Sequence, residues 1–267
     1  MEKIDSIDEV VELIAKIKNL RKGFISNFYL DKEKHSLWIE KGDLYYELIG
    51  NTLFLIKKNV GFVNVFYVST SLDELKENIG ILNNNSDETM MMDIVDRKED
   101  CENITKAFLD LGFTLYCQLM RMSRKTSDVV NNLSNDVVFA TREEAQDVLA
   151  LLHKYFDERA EQIPYIEELE EYASQKRILL KKIDKKIVGF VIFEISRVSL
   201  YLRYWFVHPD YRERGVGSDL LRRYFYEGKE TKMEQLWVIC NNENAIKRYR
   251  HYGYNDENMF DYVITNK

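Results

Sequence analysis

The chain has 267 residues, 45% hydrophobic and 13% aromatic, enough for two cores of ordinary domain size and too apolar for a disordered chain. Its 38 Lys and Arg against 45 Asp and Glu leave a formal net charge of −7, so a nucleic-acid backbone is not expected as a partner. No apolar run reaches the ~20 residues that span a bilayer, and residues 1–20 place charges between apolar side chains, unlike a signal peptide. The expectation is a cytoplasmic protein with no membrane partner.

Ile7, Val10, Val11, Leu13, Ile14 and Ile17 recur at helical spacing and predict a helix over 7–20. Runs rich in aromatic and β-branched residues predict strands over 36–40, 43–48, 52–58 and 61–68. Ser71 and Glu74 spell a capping box that opens a short helix. A strand over 90–95, a helix over 100–111 and a strand over 113–122 complete a first domain, 1–125. Polar turn formers then mark a linker over 126–136.

The second domain, 137–267, opens with a strand at Val137 and helices over 142–156 and 165–175. Hairpin strands around Asp184 and Lys185 follow, with strands over 187–195 and 199–207, a helix over 218–227, a strand over 235–240, a helix over 243–252 and a final strand. Strands and helices mix without strict alternation, so the fold class expected is α/β (α+β), each domain a mixed sheet flanked by helices. Cys101, Cys117 and Cys240 are odd in number and widely spaced, and are read as buried reduced thiols. His35, His153 and His251 lack ligand spacing, and no metal is assigned.

The halves also match in letters. ENITKAFLDLGF at 102–113 aligns without gaps on ENAIKRYRHYGY at 243–254, which together with the repeated element order points to an internal duplication. Phe108 then stands where the second half has Tyr249.

VHPDYRERGVGSDLL, at 207–221, joins a run of strand formers to a helix. Helix N-termini leave amide hydrogens unpaired and carry partial positive charge, so a glycine loop there can wrap a phosphate. Gly215 and Gly217 remove side chains that would block the approach, and Arg212 and Arg214 add charge suited to phosphate oxygens. Ser218 or Asp219 is expected to cap the helix.

This stretch, followed by NNENAIKRYRHYGY, resembles the paired signature of the GNAT family of N-acetyltransferases. Arg212, Gly215 and Gly217 fit the family's Q/R-x-x-G-x-G/A loop. Asn244, Tyr249, Gly253 and Tyr254 fit its second motif, with Ala245 one place early. The resemblance covers about the last 130 residues. It implies that acetyl coenzyme A lies between parallel strands 199–207 and 235–240. Backbone groups of Trp205, Phe206 and Val207 would hold the thioester and pantetheine, and the loop of Arg212, Glu213, Arg214, Gly215, Val216, Gly217 and Ser218 would hold the pyrophosphate. Asn244 joins the cofactor-binding set, and Tyr249 becomes the acid for the departing thiolate. It further implies direct acetyl transfer to a primary amine of a small molecule or peptide.

Strict alternation along 199–207 puts Tyr201, Arg203 and Trp205 on one face, so Tyr201 and Arg203 are expected to bind an anionic or hydroxyl group of the acceptor. Glu194, across a tight hairpin from Tyr201, either relays the amine's proton or pairs with Arg203. The second-half site is expected to be the one cofactor site per chain, in a monomer or homodimer. A non-catalytic acyl coenzyme A sensor is the alternative, with aminoacyl transfer from tRNA a third reading.

Overall fold

The computed structural model describes residues 1–126 and 133–267. In chain order the elements are β1 (Glu2–Lys3), α1 (Ile7–Asn19), β2 (Ile25–Ser26), α2 (Lys32–Lys41), β3 (Leu44–Ile49), β4 (Thr52–Lys58), β5 (Val63–Ser69), α3 (Leu72–Asn84), β6 (Met90–Arg97), α4 (Lys98–Leu109) and β7 (Thr114–Lys125). The chain goes on through β8 (Val137–Phe139), α5 (Ala145–Tyr155), α6 (Ile166–Ser174), β9 (Ile178–Ile183), β10 (Lys186–Ile195), β11 (Ser199–Val207), α7 (Val216–Glu227), β12 (Met233–Ile239), α8 (Glu243–His251) and β13 (Asn255–Thr265).

Two compact units divide it. The first holds Met1–Leu119 with Asn258–Lys267, and the second holds Met120–Glu257. A split at 125 and 137 therefore differs from the compact units at both ends, since β7 and β13 each contribute residues to both. Most of β13 closes the first unit, pairing antiparallel with β6 from Met259–Arg97 to Thr265–Met91. Asn266 adds its side-chain oxygen as acceptor for the Met90 amide at 2.8 Å. The core of the linker expected over 126–136 falls on 127–132, outside the described residues.

In the first unit the strand order is β1-β3-β4-β5-β6-β13-β7, with β2 off the path on β5. Phe54, Leu75, Ile79, Ile94, Phe108 and Tyr262 centre one buried cluster. The strand expected over 36–40 is instead the middle of α2. Asp31 caps that helix by accepting the Lys34 amide, and Gly42 ends it at φ 75°. His35 and Trp38, three apart, are its buried face, a helical period that outweighs the strand-like letters around it. Ser71 caps α3 as expected, but Glu74 reaches the Asn51 amide rather than back to Ser71.

In the second unit the order is β7-β12-β11-β10-β9-β8. One core lies under α7 and α8 (Phe193, Leu220, Tyr224, Leu236, Tyr249) and another under α5 and α6 (Val148, Leu152, Leu169, Phe190, Phe206). Gly189 admits α7 to the sheet, because a Cβ there would stand 2.9 Å from Val216, Leu220 and the Phe206 carbonyl. Behind α8, the fully buried Glu234 accepts from Arg124 Nε at 2.6 Å and from the Tyr254 hydroxyl at 3.0 Å, while Arg124 also donates to the Tyr252 carbonyl. A buried carboxylate so satisfied fixes the end of α8 relative to β12, and removing its arginine alone would cost about 3–5 kcal/mol. Of the cysteines only Cys101 is buried, its thiol pushed up to about 12 by burial. Cys117 and Cys240 are half-buried, which corrects the expectation for those two.

Candidate active site

The site begins where β11 and β12 part. They pair in parallel from Ser199–Met233 to Leu202–Leu236, and β11 runs on to Val207 and β12 to Ile239 beyond that register. Strands that separate in this way turn backbone amides and carbonyls toward whatever enters between them.

A β-bulge decides which side chains line the opening. Ile192 pairs with Tyr204 but Phe193 with Leu202, which leaves Arg203 as the extra residue on β11. Leu200, Leu202, Trp205 and Val207 consequently pack on the α7 and α8 side, and Tyr204 and Phe206 on the α5 and α6 side. Strict alternation is overturned at this one residue. Arg203 does not share a face with Trp205. Its side chain is 14% exposed, and its guanidinium meets Tyr172 of α6 and Glu194.

Those three groups close a small network. Arg203 Nη1 donates to Glu194 Oε1 at 3.1 Å and to the Tyr172 oxygen at 2.7 Å, and the Tyr172 hydroxyl donates to the same Glu194 oxygen at 2.8 Å. Of the two roles expected for Glu194, the one the geometry fills is partner to Arg203. Arg203 is thus already paired. Tyr201 stands opposite Glu194 in the β10–β11 register, as the hairpin predicts.

The two glycines of the loop serve different needs. Gly215 is the N-cap of α7 at φ 79°, and a Cβ there would meet nothing within 4 Å, so its requirement is the left-handed backbone. Gly217 lies inside the helix, where a Cβ would come 2.9 Å from Trp205 Cζ2 and 3.3 Å from Val207, so its requirement is close packing on β11. Glu213 adds a second positive φ, 63°. The α7 N-terminus has no side-chain cap. Ser218 and Asp219, expected as caps, lie in the first turn. The Ser218 oxygen accepts from the Tyr252 hydroxyl at 3.0 Å, and Asp219 pairs with Lys181 at 3.2 Å and Arg222 at 3.3 Å. With its carboxylate committed to those two cations, Asp219 leaves the first-turn amides as the local field, one suited to an anion. Arg212 and Arg214 are exposed, Arg214 over the Tyr211 ring at 5.4 Å.

From the other side α8 brings Tyr249, buried, its ring 5.6 Å from Trp205 and 5.8 Å from Tyr254. Burial, with Glu161 adding, holds the phenol above its ordinary range, so it stays protonated at neutral pH. Trp205 contributes a buried indole N–H with no acceptor among the described residues, an open donor beside Tyr249. Asn242, not Asn244, caps α8 by accepting the Ala245 amide at 3.2 Å. Counted from Asn242, the second motif fits without the shift that Asn244 required, and Asn244 itself lies exposed in the first turn.

The α5–α6 connection supplies a group that sequence reading passed over. Glu161 is half-buried, and burial pushes its carboxyl up to about 7, the Asp157 amide pulling against this and the Asp157 charge adding to it. Its charge weighs on both Tyr249 and Tyr204. The Tyr204 hydroxyl donates to the next residue's carbonyl, at Gln162, at 2.8 Å, which pins this segment to β11. In the sequence Glu161 is one acid among many in an acidic stretch, and only the fold separates it from its neighbours. Among the described residues no three His, Cys, Asp or Glu gather as a metal site, and no helix is long and apolar enough to cross a membrane.

Residues 145–254 match the acetyltransferase (GNAT) family. An uncharacterized N-acetyltransferase of Methanocaldococcus jannaschii is 28% identical over 87 residues, 29% of this chain and 38% of that protein, so the match spans well under half of that curated relative. Among solved structures, a GCN5-related N-acetyltransferase from Kribbella flavida superposes with a TM-score of 0.59 at 12% identity, covering 87% of this chain and 93% of the other. A tandem GNAT protein from the clavulanic acid biosynthesis pathway gives 0.58 at 9% identity over 99% and 96%. At such identities the likeness is one of fold, and that fold is the tandem GNAT arrangement expected from the duplicated letters.

Proposed function

Taking as premise that residues 145–254 form a domain of the GNAT acetyltransferase family, we infer that the second unit transfers an acetyl group from acetyl coenzyme A directly to a primary amine. The observation that carries this reading is the uncapped N-terminus of α7, opened by left-handed Gly215 at the end of a β11 that has parted from β12. The cosubstrate would supply a thioester carbonyl. Two features of the chain fit it: first-turn amides that no side chain caps, and the Trp205 N–H buried without an acceptor. In this reading the amides of Arg212 to Ser218 hold the pyrophosphate, and backbone groups of Trp205, Phe206 and Val207 hold the pantetheine and thioester.

A lysine-like amine has a pKa of about 10.4 and arrives charged, so a proton must leave before attack. Glu161 suits that task, because a carboxyl near 7 is part-ionised at neutral pH and regains a proton readily. Tyr249, holding its own proton, donates to the departing sulfur. Arg203 and Glu194, locked to each other and to Tyr172, position β11 beside the acceptor, with Tyr201 next to them. Acidic Glu161 and Asp157 favour a cationic acceptor over an anionic one.

The test is release of free thiol from acetyl coenzyme A with a panel of primary amines. At least one amine is expected to drive release, at a rate that Tyr249→Phe and Glu161→Gln each lower by about 100-fold. Binding of the cosubstrate with no thiol release from any amine would leave a binding module and end the catalytic reading.

A further inference from the structure

In the first unit the strands also part, and the chain itself occupies the opening. β5 and β6 pair in parallel only at Val63–Met90 and Asn64–Met91. With β4 along one edge of β5 from Val63 to Ser69, β2 takes the edge that faces β6, at Ile25–Ser69 and Ser26–Val68. Asn27 then bridges the two strands, accepting the Tyr67 amide at 2.6 Å and donating to the Asp93 carbonyl at 2.9 Å.

Beside Asn27 lies a cavity of about 920 Å³. Its wall is mostly apolar, with Val11, Ile14 and Ala15 from α1, Val68 from β5, Leu72 from α3 and Ile104 from α4. Two polar groups of the lining still have capacity for a ligand. Tyr67 is 4% exposed, and its hydroxyl has no hydrogen-bond partner among the described residues. Asp96 is half-buried, and its Oδ1 accepts the Arg97 amide at 2.7 Å, but no lysine or arginine among the described residues pairs with it.

These two groups stand on one face of the gap. Val63, Val65 and Tyr67 of β5 and Met90, Met92 and Ile94 of β6 point into the same core. β6 keeps its register with β13 through Arg97, so alternation sends Asp96 to that face as well, next after Ile94. Counted on from Asn64–Met91, Tyr67 is level with Ile94, which makes Asp96 its diagonal neighbour across the gap. The phenol registers this: burial holds it above its ordinary range, with Tyr29, Cys101 and the Asp96 carboxylate adding. Lys18, the other charged residue of the lining, rests its ammonium 4.8 Å above the Phe24 ring and is not among the groups that act on Tyr67.

We propose that this cavity binds a primary alkylamine as its ammonium ion, the head donating to the Asp96 carboxylate and the Tyr67 hydroxyl oxygen and the chain lying on the apolar wall. An amine of this kind, with a pKa of about 10.4, is charged at neutral pH. A carboxylate with no cation of its own beside an apolar wall attracts a cation and repels an anion. The phenol oxygen offers a second acceptor, and the cavity has the volume of a small-molecule site. Its lining lies wholly in residues of the first unit, so the proposal stands apart from the acetyl-transfer reading.

Calorimetry on the full chain with octylamine at neutral pH tests it. A site tighter than about 1 mM is expected, present in Glu161→Gln as in the unaltered chain and undisplaced by coenzyme A. Octanol, with the same chain and no charge, should bind about tenfold more weakly, and octanoate should not bind. Asp96→Asn keeps the oxygen that accepts the Arg97 amide, yet it should weaken octylamine about tenfold and erase the preference over octanol. Tyr67→Phe should weaken octylamine several-fold. Failure of octylamine to bind, equal affinity for octanol, or indifference to both substitutions would each overturn the proposal. Binding that survives Asp96→Asn and is lost in Glu161→Gln would place the amine in the second unit and overturn it too.

Discussion

The two units share a ground plan down to its details and differ at three places that all bear on one ligand. At the shared end of α4 and α8, Phe108 and Tyr249 each accept an amide through the main-chain oxygen, from Phe113 and Tyr254, and each ring meets that partner edge-on at 5.7 and 5.8 Å. Gly112 and Gly253 both sit at φ 87°. The differences lie elsewhere. β5 keeps an unbroken register with β4 where β11 carries a bulge, α3 is capped by Ser71 where α7 is uncapped, and the first gap is bridged by Asn27. A fold copied within one chain thus retains its packing while the groups that would meet a cosubstrate are consumed by the protein itself.

Substitutions can break this contrast. The largest effect is expected at the paired aromatic positions: Tyr249→Phe, which makes the second unit match the first, should cut thiol release about 100-fold or more, while Phe108→Tyr should add no activity and no second acetyl coenzyme A site. Calorimetry that counts two equivalent sites in the unaltered chain would end the idea of one open and one closed copy. Next comes Gly215→Val. A β-branched residue held at φ 79° costs about 1–2 kcal/mol, so the dissociation constant for acetyl coenzyme A should rise about tenfold.

pH separates the units in opposite senses. His35, stacked 4.5 Å from Phe28, is pushed down to about 4 by burial, with Lys34 adding and Asp31 opposing. Its folded pKa lies below the unfolded 6.5, so its contribution is present above 6.5 and lost as pH falls through about 4. Glu161 has a folded pKa raised from 4.5 to about 7, so its contribution is present below 4.5 and lost as pH rises through about 7. Each amounts to about 3 kcal/mol. Hydrogen exchange should show residues 31–41 loosening toward acid and residues 156–165 loosening toward neutral pH, and parallel behaviour of the two segments would contradict the assignment. The same Glu161 should give kcat/KM an acid limb near 7 that Glu161→Gln removes. The smallest effect is Ser71→Ala, about 1 kcal/mol from the first unit, read as a lower denaturation midpoint with acetyl coenzyme A binding unchanged.

Much of this was readable from letters, and the exceptions have physical causes. β11 spans 199–207 as its composition predicts, while the loop glycines answer to needs the letters did not name, a left-handed backbone at Gly215 and close packing on Trp205 at Gly217. The bulge at Arg203 was hidden because an added residue is a property of the pairing with β10, not of either strand alone. Helix α2 carries strand-like aromatic and β-branched letters in HSLWI, and its helical state is signalled only at its ends, by the capping Asp31 and the left-handed Gly42. Glu161 gained its raised pKa from burial, which no sequence window reports.

The placement of β13 has a temporal consequence. Its residues from Asn258 onward complete the first unit, yet they leave the ribosome after every residue of the second. Synthesis therefore finishes the later copy before the earlier one, and the first unit must wait, with the edge of β6 uncovered, for a strand made after the whole of the second.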